Sequence, residues 1–254
     1  MKLRIISALL ISMAGSTHAF EGNTNDSFYV TSEFINKQVQ QNMSVGRAVK
    51  SVVEHYPLHA ARIVDTTLDL YPEKYKDIVY AAVSAAPSQT KEIVEVAIDK
   101  GVTSCPNIVE IAINAEPSYV DFVVHAAANT TPDELKDIVR VAVVTEPDSA
   151  DRIVQTLVET HPNDVVDIVK TAVGAVPFVG EYIVDALLAV FPAKAEDVVT
   201  TALQESSSKK EYVQKIIESA QNAGLSENTL KDYALKGGVD EAELAAIMKN
   251  LEKQ

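Results

Sequence analysis

The sequence predicts an all-α fold: an α-solenoid of 15-residue single-helix units, paired into 30-residue helical hairpins and closed by C-terminal capping helices. Three observations predict it. Proline recurs with a fixed step, one position of each step is invariantly valine, and the apolar residues between follow a helical period.

The prolines stand at 57, 72, 87, 106, 117, 132, 147, 162, 177 and 192, and nine of the ten obey a spacing of 15 or its double. Only Pro106 is out of step, with Val102 at the position due. Counting each unit from its proline as offset zero, and starting units also at Asn42 and Val102, gives eleven units over 42–206. Offset seven is valine in all eleven, from Val49 to Val199, and offset six is Ile or Val in ten, with Ala48 in the first. Offset ten is mostly alanine and offset eleven is aliphatic throughout. Apolar residues at offsets 3, 6, 7, 10, 11 and 14 trace a broad helical stripe, where a strand would alternate.

Taken in chain order, residues 1–19 read as a secretory signal: Lys2 and Arg4, an apolar run from Ile5 to Ala14, then Thr17-His18-Ala19 before an expected cut. Such a signal implies an exported, periplasmic or secreted protein. Residues 20–41 read as a polar lead-in followed by a capping helix within "TSEFINKQVQ". In 42–206 each proline is expected at the first helical position, where its missing N–H costs nothing and its φ suits the helix. It also drives the preceding residue out of α conformation and so ends the previous helix. Thr131 with Glu134 is an expected capping box. Helices of about 11–12 residues are marginal alone, so each must lie on its neighbours in a quasi-one-dimensional stack. Residues 207–254 read as a helical cap: one helix over about 209–223 stopped by Gly224, one after Ser226, and one after Asp240 with a capping box to Glu243.

A second period doubles the first. Offset five reads Asp77, Asn107, Asp137, Asp167 and Asp197 in alternate units (B), against Arg62, Glu92, Phe122, Arg152 and Tyr182 in the others (A). The array over 42–206 resembles the HEAT-like class of α-solenoids in its short helical hairpins. That resemblance is one of architecture and implies no particular family or activity.

Charge narrows the partners. Removing residues 1–19, which carry two basic residues and no acid, leaves 20 basic against 36 acidic residues, a net of −16. Such a chain repels nucleic acid and anionic headgroups. The single cysteine, Cys105, excludes an internal disulfide framework and cysteine-cluster metal sites. It is expected as a buried small hydrophobe, or, if the irregular joint "DKGVTSCPN" is open, as an intermolecular disulfide. In that joint Gly101 reads as a helix stop, Ser104 as an N-cap and Pro106 as a displaced first-turn proline.

Chemistry-bearing patterns are weak. No nucleotide, hydrolase or metalloprotease motif is present, so no enzyme, cofactor or metal is expected. His55 and His59 stand at i, i+4, but Pro57 lies between them, and two turn imidazoles are expected in place of a zinc site. Rungs of the Asp77/Asn107/Asp137/Asp167/Asp197 ladder, about one helix spacing apart, cannot share a calcium ion. They are expected as a structural or solvated ladder with weak i, i+3 pairs Asp137–Arg140 and Asp167–Lys170, the alternative being a row that meets a basic partner. The apolar stretch 172–191 obeys the repeat register and is expected as solenoid core, so membrane insertion is not.

The one functional hint lies on the A units. Phe178, Val179 and Tyr182 occupy offsets that are usually polar elsewhere. Tyr119 and Phe122, then Arg152, then Phe178 and Tyr182 fall on three consecutive A helices, over about 20 Å, and Tyr and Arg are favoured at interface hot spots. Either these bulky residues fill grooves between A helices or they form a binding face; on the second reading the expectation is a non-catalytic interaction scaffold or adaptor whose partner is another envelope or secreted protein. The alternative is a structural protein that binds a glycan or surface polymer of the envelope or matrix.

Overall fold

The computed structural model describes residues 30–42 and 44–251; the signal read over 1–19 and the lead-in up to residue 29 lie outside the described residues. Fifteen α-helices occupy the described residues. The first is α1 (Ser32–Asn42), the expected capping helix. The array runs α2 (Val45–His55), α3 (Ala60–Leu70), α4 (Tyr75–Ala85), α5 (Thr90–Asp99), α6 (Cys105–Ala115) and α7 (Val120–Thr130). It continues through α8 (Leu135–Thr145), α9 (Ala150–Thr160), α10 (Val165–Ala175), α11 (Gly180–Val190) and α12 (Ala195–Ser206). The cap is α13 (Lys210–Asn222), α14 (Glu227–Lys236) and α15 (Glu241–Leu251).

Each in-register proline starts a tight turn, and the α-helix proper begins three residues later; only Pro106 lies inside its helix. The turn is 3-10 before eight helices. The backbone hydrogen bonds explain the arrangement. Tyr71, ahead of Pro72, leaves α conformation at φ −136°, ψ 56°. Its N–H still closes α3 onto the Thr67 carbonyl at 2.9 Å, while its carbonyl accepts the Lys74 N–H at 2.9 Å. One residue thus finishes one helix and anchors the turn into the next, and the reversal leaves few backbone groups unpaired.

Side-chain capping follows the same logic. The expected box at Thr131 does not form: with Pro132 next, Thr131 is the C-cap of α7, and its hydroxyl donates to the Ala127 carbonyl at 3.1 Å. At Asp240 half a box exists, Oδ1 accepting from the N–H groups of Ala242 and Glu243 at 2.9 and 3.2 Å. The reciprocal half is missing, because Glu243 Oε1 is buried without a partner. Ser104 stands at the N-cap of α6 but makes no side-chain cap bond. Its carbonyl instead accepts the N–H groups of Asn107 and Ile108 at 3.1 and 3.3 Å.

Packing is between next-but-one helices. Odd helices α1 to α13 form one layer and even helices α2 to α14 the other, with sequential neighbours bridging the two. This is the A/B alternation of the sequence, and the fold is an α-solenoid. Every offset-six and offset-seven side chain of the array is at most 1 % exposed. Offset fourteen differs from expectation: as the linker residue it lies between layers and is mostly half-buried, not part of the helical stripe. The apolar stretch 172–191 is interrupted by the turn at Pro177, and among the described residues no helix is long and apolar enough to cross a membrane.

The irregular joint is closed. Gly101 adopts φ +61°, the left-handed conformation a helix stop requires. Lys100 Nζ lies 2.7 Å from both Asp65 and Asp69 of α3, and those bonds raise its pKa. Cys105 is buried, and burial pushes its thiol pKa up.

Candidate functional site

The A layer presents its offset-one, -four and -five side chains outward. Where most such positions carry polar groups, two of the last three units of this layer place aromatic rings: Phe122 is 48 %, Phe178 44 % and Tyr182 56 % exposed, while the unit between them carries Asp148, Asp151 and Arg152. Val179 differs from its neighbours and is wholly buried.

The candidate residues separate into two groups. Tyr119 and Phe122, at the start of α7, meet with ring centroids 5.4 Å apart and planes tilted by 35°. Arg152 of α9 reaches back to the same helix, pairing with Asp121 and donating to the Ser118 carbonyl at 3.2 Å. It therefore ties α9 to α7 as well as edging the stripe. Phe178 and Tyr182 lie one helix further along the same layer, where with Pro147, Asp148, Ala150 and Asp151 they line a groove of about 330 Å³ between α9 and α11.

Beyond Tyr182 the cap begins. A second groove, of about 290 Å³, runs between α11 and α13 and is lined on one side by Tyr182 and Asp185 and on the other by Lys215 and Glu218. Lys215 Nζ lies 3.1 Å from Glu181, a bond that raises the lysine pKa, and the Ser219 hydroxyl donates to the Glu181 carbonyl at 3.0 Å. α13 approaches α11 closely at Gly180, where a Cβ would stand 2.9 Å from Ile216 Cδ1, the movable end of that side chain.

Asp148 and Asp151 are groove residues that the aromatic pattern alone did not single out. The signal that finds them is the repeat itself: offsets one and four of one A unit face offsets one and five of the next. Chemically the stripe offers stacking surfaces, one guanidinium already engaged and several carboxylates.

The even layer carries the aspartate ladder as an outward-facing row. Asp77, Asn107, Asp137 and Asp197 are exposed and Asp167 half-buried. Asp167 pairs with Lys136 of the preceding even helix at 3.0 Å, not with Lys170, and Asp137 makes no ion pair with Arg140. The stack brings Lys136 on α8 directly beside Asp167 on α10. A groove of about 470 Å³ borders this pair, lined also by Arg140, His161 and Asp164. At the other end of the array, His55 ends α2 with Nδ1 donating to the Ser51 carbonyl at 2.8 Å, while His59 belongs to the following turn. Among the described residues no three His, Cys, Asp or Glu side chains converge on a point fit for a metal ion.

Repeated short helices stacked in two layers define the class, a helical-repeat protein of solenoid architecture. The chain matches no family model, no curated protein and no solved structure.

Proposed function

We propose that this protein is an exported, non-catalytic interaction scaffold, HEAT-like in its short hairpins, which binds another protein along the face of α7, α9 and α11. The observation that carries the reading is the exposure of Phe122, Phe178 and Tyr182, each about half uncovered on a layer whose rigidity is supplied elsewhere. Aromatic rings on a stiff support lose little conformational entropy on binding and are favoured as anchors. Residues 1–19 supply the export element of the proposal, with a mature chain beginning at Phe20.

Replacing Phe122 and Tyr182 together by Ser tests it. Because each ring is about half exposed, the stability loss is about 1 kcal/mol per site, and helicity is retained. Capture of the partner cross-linked to the native protein falls by about thirtyfold or more, the loss of a hot spot. Full-strength capture by this variant, or a melting temperature as low as that of a core variant, refutes the binding face.

A further inference from the structure

On the reading that this face binds protein, we infer that its partner docks through a basic segment, with a lysine or arginine side chain seated in the α9–α11 groove.

Three consecutive A units carry a carboxylate at offset four: Asp121, Asp151 and Glu181. Asp121 is paired with Arg152 from the next helix of its layer, and Glu181 with Lys215 from the next. Asp151 makes no ion pair or hydrogen bond among the described residues. The residue that would supply its cation, one 30-residue module on from Arg152, is Tyr182. The chain thus repeats the acidic half of the Arg152–Asp121 arrangement at α9–α11 and replaces the basic half by an aromatic wall. Where Arg152 also meets the Ser118 carbonyl, the next A unit has Asp148 at offset one, a second carboxylate whose side chain has no hydrogen-bond or ion-pair partner among the described residues.

The groove so formed holds two carboxylates and the rings of Phe178 and Tyr182, and no cationic side chain lines it. A guanidinium or ammonium entering it takes the electrostatic place of the missing arginine and lies against ring faces, an arrangement that favours cations. The surroundings support the same sign. Units 117–131, 147–161 and 177–191 together carry six carboxylates and one guanidinium. That field attracts a basic segment and raises its association rate. It also opposes a second copy of this acidic chain at the same face. Past Tyr182, Asp185, which makes no ion pair among the described residues, offers a further carboxylate for a following basic residue.

The test uses the full mature chain and a fluorescent peptide of alternating arginine and glycine, with a glutamate–glycine peptide and a neutral oligosaccharide as comparison probes. The arginine peptide binds and the glutamate peptide does not. Its affinity falls at least tenfold between about 0.01 M and about 0.15 M salt, as the Debye length shrinks from about 30 Å to about 8 Å. Asp148→Asn with Asp151→Asn weakens binding at least tenfold. Tyr182→Arg, which restores the internal partner of Asp151, blocks the peptide to a similar extent without lowering the melting temperature. The inference is overturned if the peptide binds these variants as it binds the parent, or if the oligosaccharide or a second copy of the chain binds in its place. If Phe122→Ser with Tyr182→Ser releases the native partner while the double Asn variant holds it at full strength, the binding face stands and the basic partner falls.

Discussion

Val154 sits at offset seven of α9 and is 0 % exposed, so Val154→Asp places a carboxylate where no water or cation reaches it. It is a cleaner probe than Val139, which borders the α8–α10 groove and could let a carboxylate find solvent. The loss has two parts. Removing a fully buried valine costs about 1.5–2 kcal/mol of apolar burial. An unpaired carboxyl at such a site has its pKa raised by about 3–5 units, so at neutral pH, about 3 units above the unfolded value and at about 1.4 kcal/mol per unit, its titration adds about 4 kcal/mol. The sum exceeds about 5 kcal/mol, well beyond an ordinary substitution. The sign of the pH dependence follows. A carboxyl whose folded pKa is raised loses stability as pH climbs from the unfolded value near about 3.9 to the folded value, and no further above it. Acidification towards about pH 4 therefore restores most of the loss, leaving the packing part and the cost of the neutral carboxyl. Urea unfolding followed by far-ultraviolet circular dichroism measures the shift. Hydrogen exchange across α7–α11 shows whether the stack opens locally first, as quasi-one-dimensional arrays can. Lys136→Ala is the control: its ion pair with Asp167 is largely exposed, so the change stays within about 1 kcal/mol. A Val154→Asp shift no larger than that of Lys136→Ala, or one indifferent to pH, refutes the assigned register.

Cys105 is buried with a raised thiol pKa, so native protein reacts with a thiol reagent at least about tenfold more slowly than denatured protein. Because the folded state holds that proton more tightly, stability declines as pH rises above the unfolded thiol value of about 8.5; rapid native labelling would contradict the burial. Gly237→Ala destabilises the cap by about 1–3 kcal/mol, because its Cβ would stand 2.9 Å from Leu203 Cβ and 3.1 Å from the Thr200 carbonyl, neither of which is a flexible side-chain end. Gly180→Ala meets only the movable tip of Ile216 and is the milder of the pair in thermal melts; equal losses would show that α14 does not dock on α12 so closely. Native material begins at Phe20, which N-terminal sequencing checks; recovery of a chain beginning at Met1 would remove export from the proposal.

The repeat by itself determined the class, the register and the core. A proline step of 15 with an invariant valine leaves one solution, short helices stacked through one face, because the two signals act locally and recur, the proline nine times and the valine eleven. It also placed Phe122, Phe178 and Tyr182 on one layer, since alternation at offset five separates the layers before any coordinate is known. Tertiary structure decided what crosses between units. Thr131 and Glu134 have capping-box spacing, yet Pro132 makes the threonine the end of one helix and not the start of the next. Asp167 finds Lys136 on the neighbouring even helix in preference to Lys170 on its own. Arg152 is drawn back to Asp121, while Asp151, in the same register one unit later, faces a tyrosine. Side-chain pairing between neighbouring helices of a layer depends on lateral spacing and rotamers, which a one-dimensional period does not carry. The helices were therefore legible in the sequence, whereas the grooves between them emerged only from their packing.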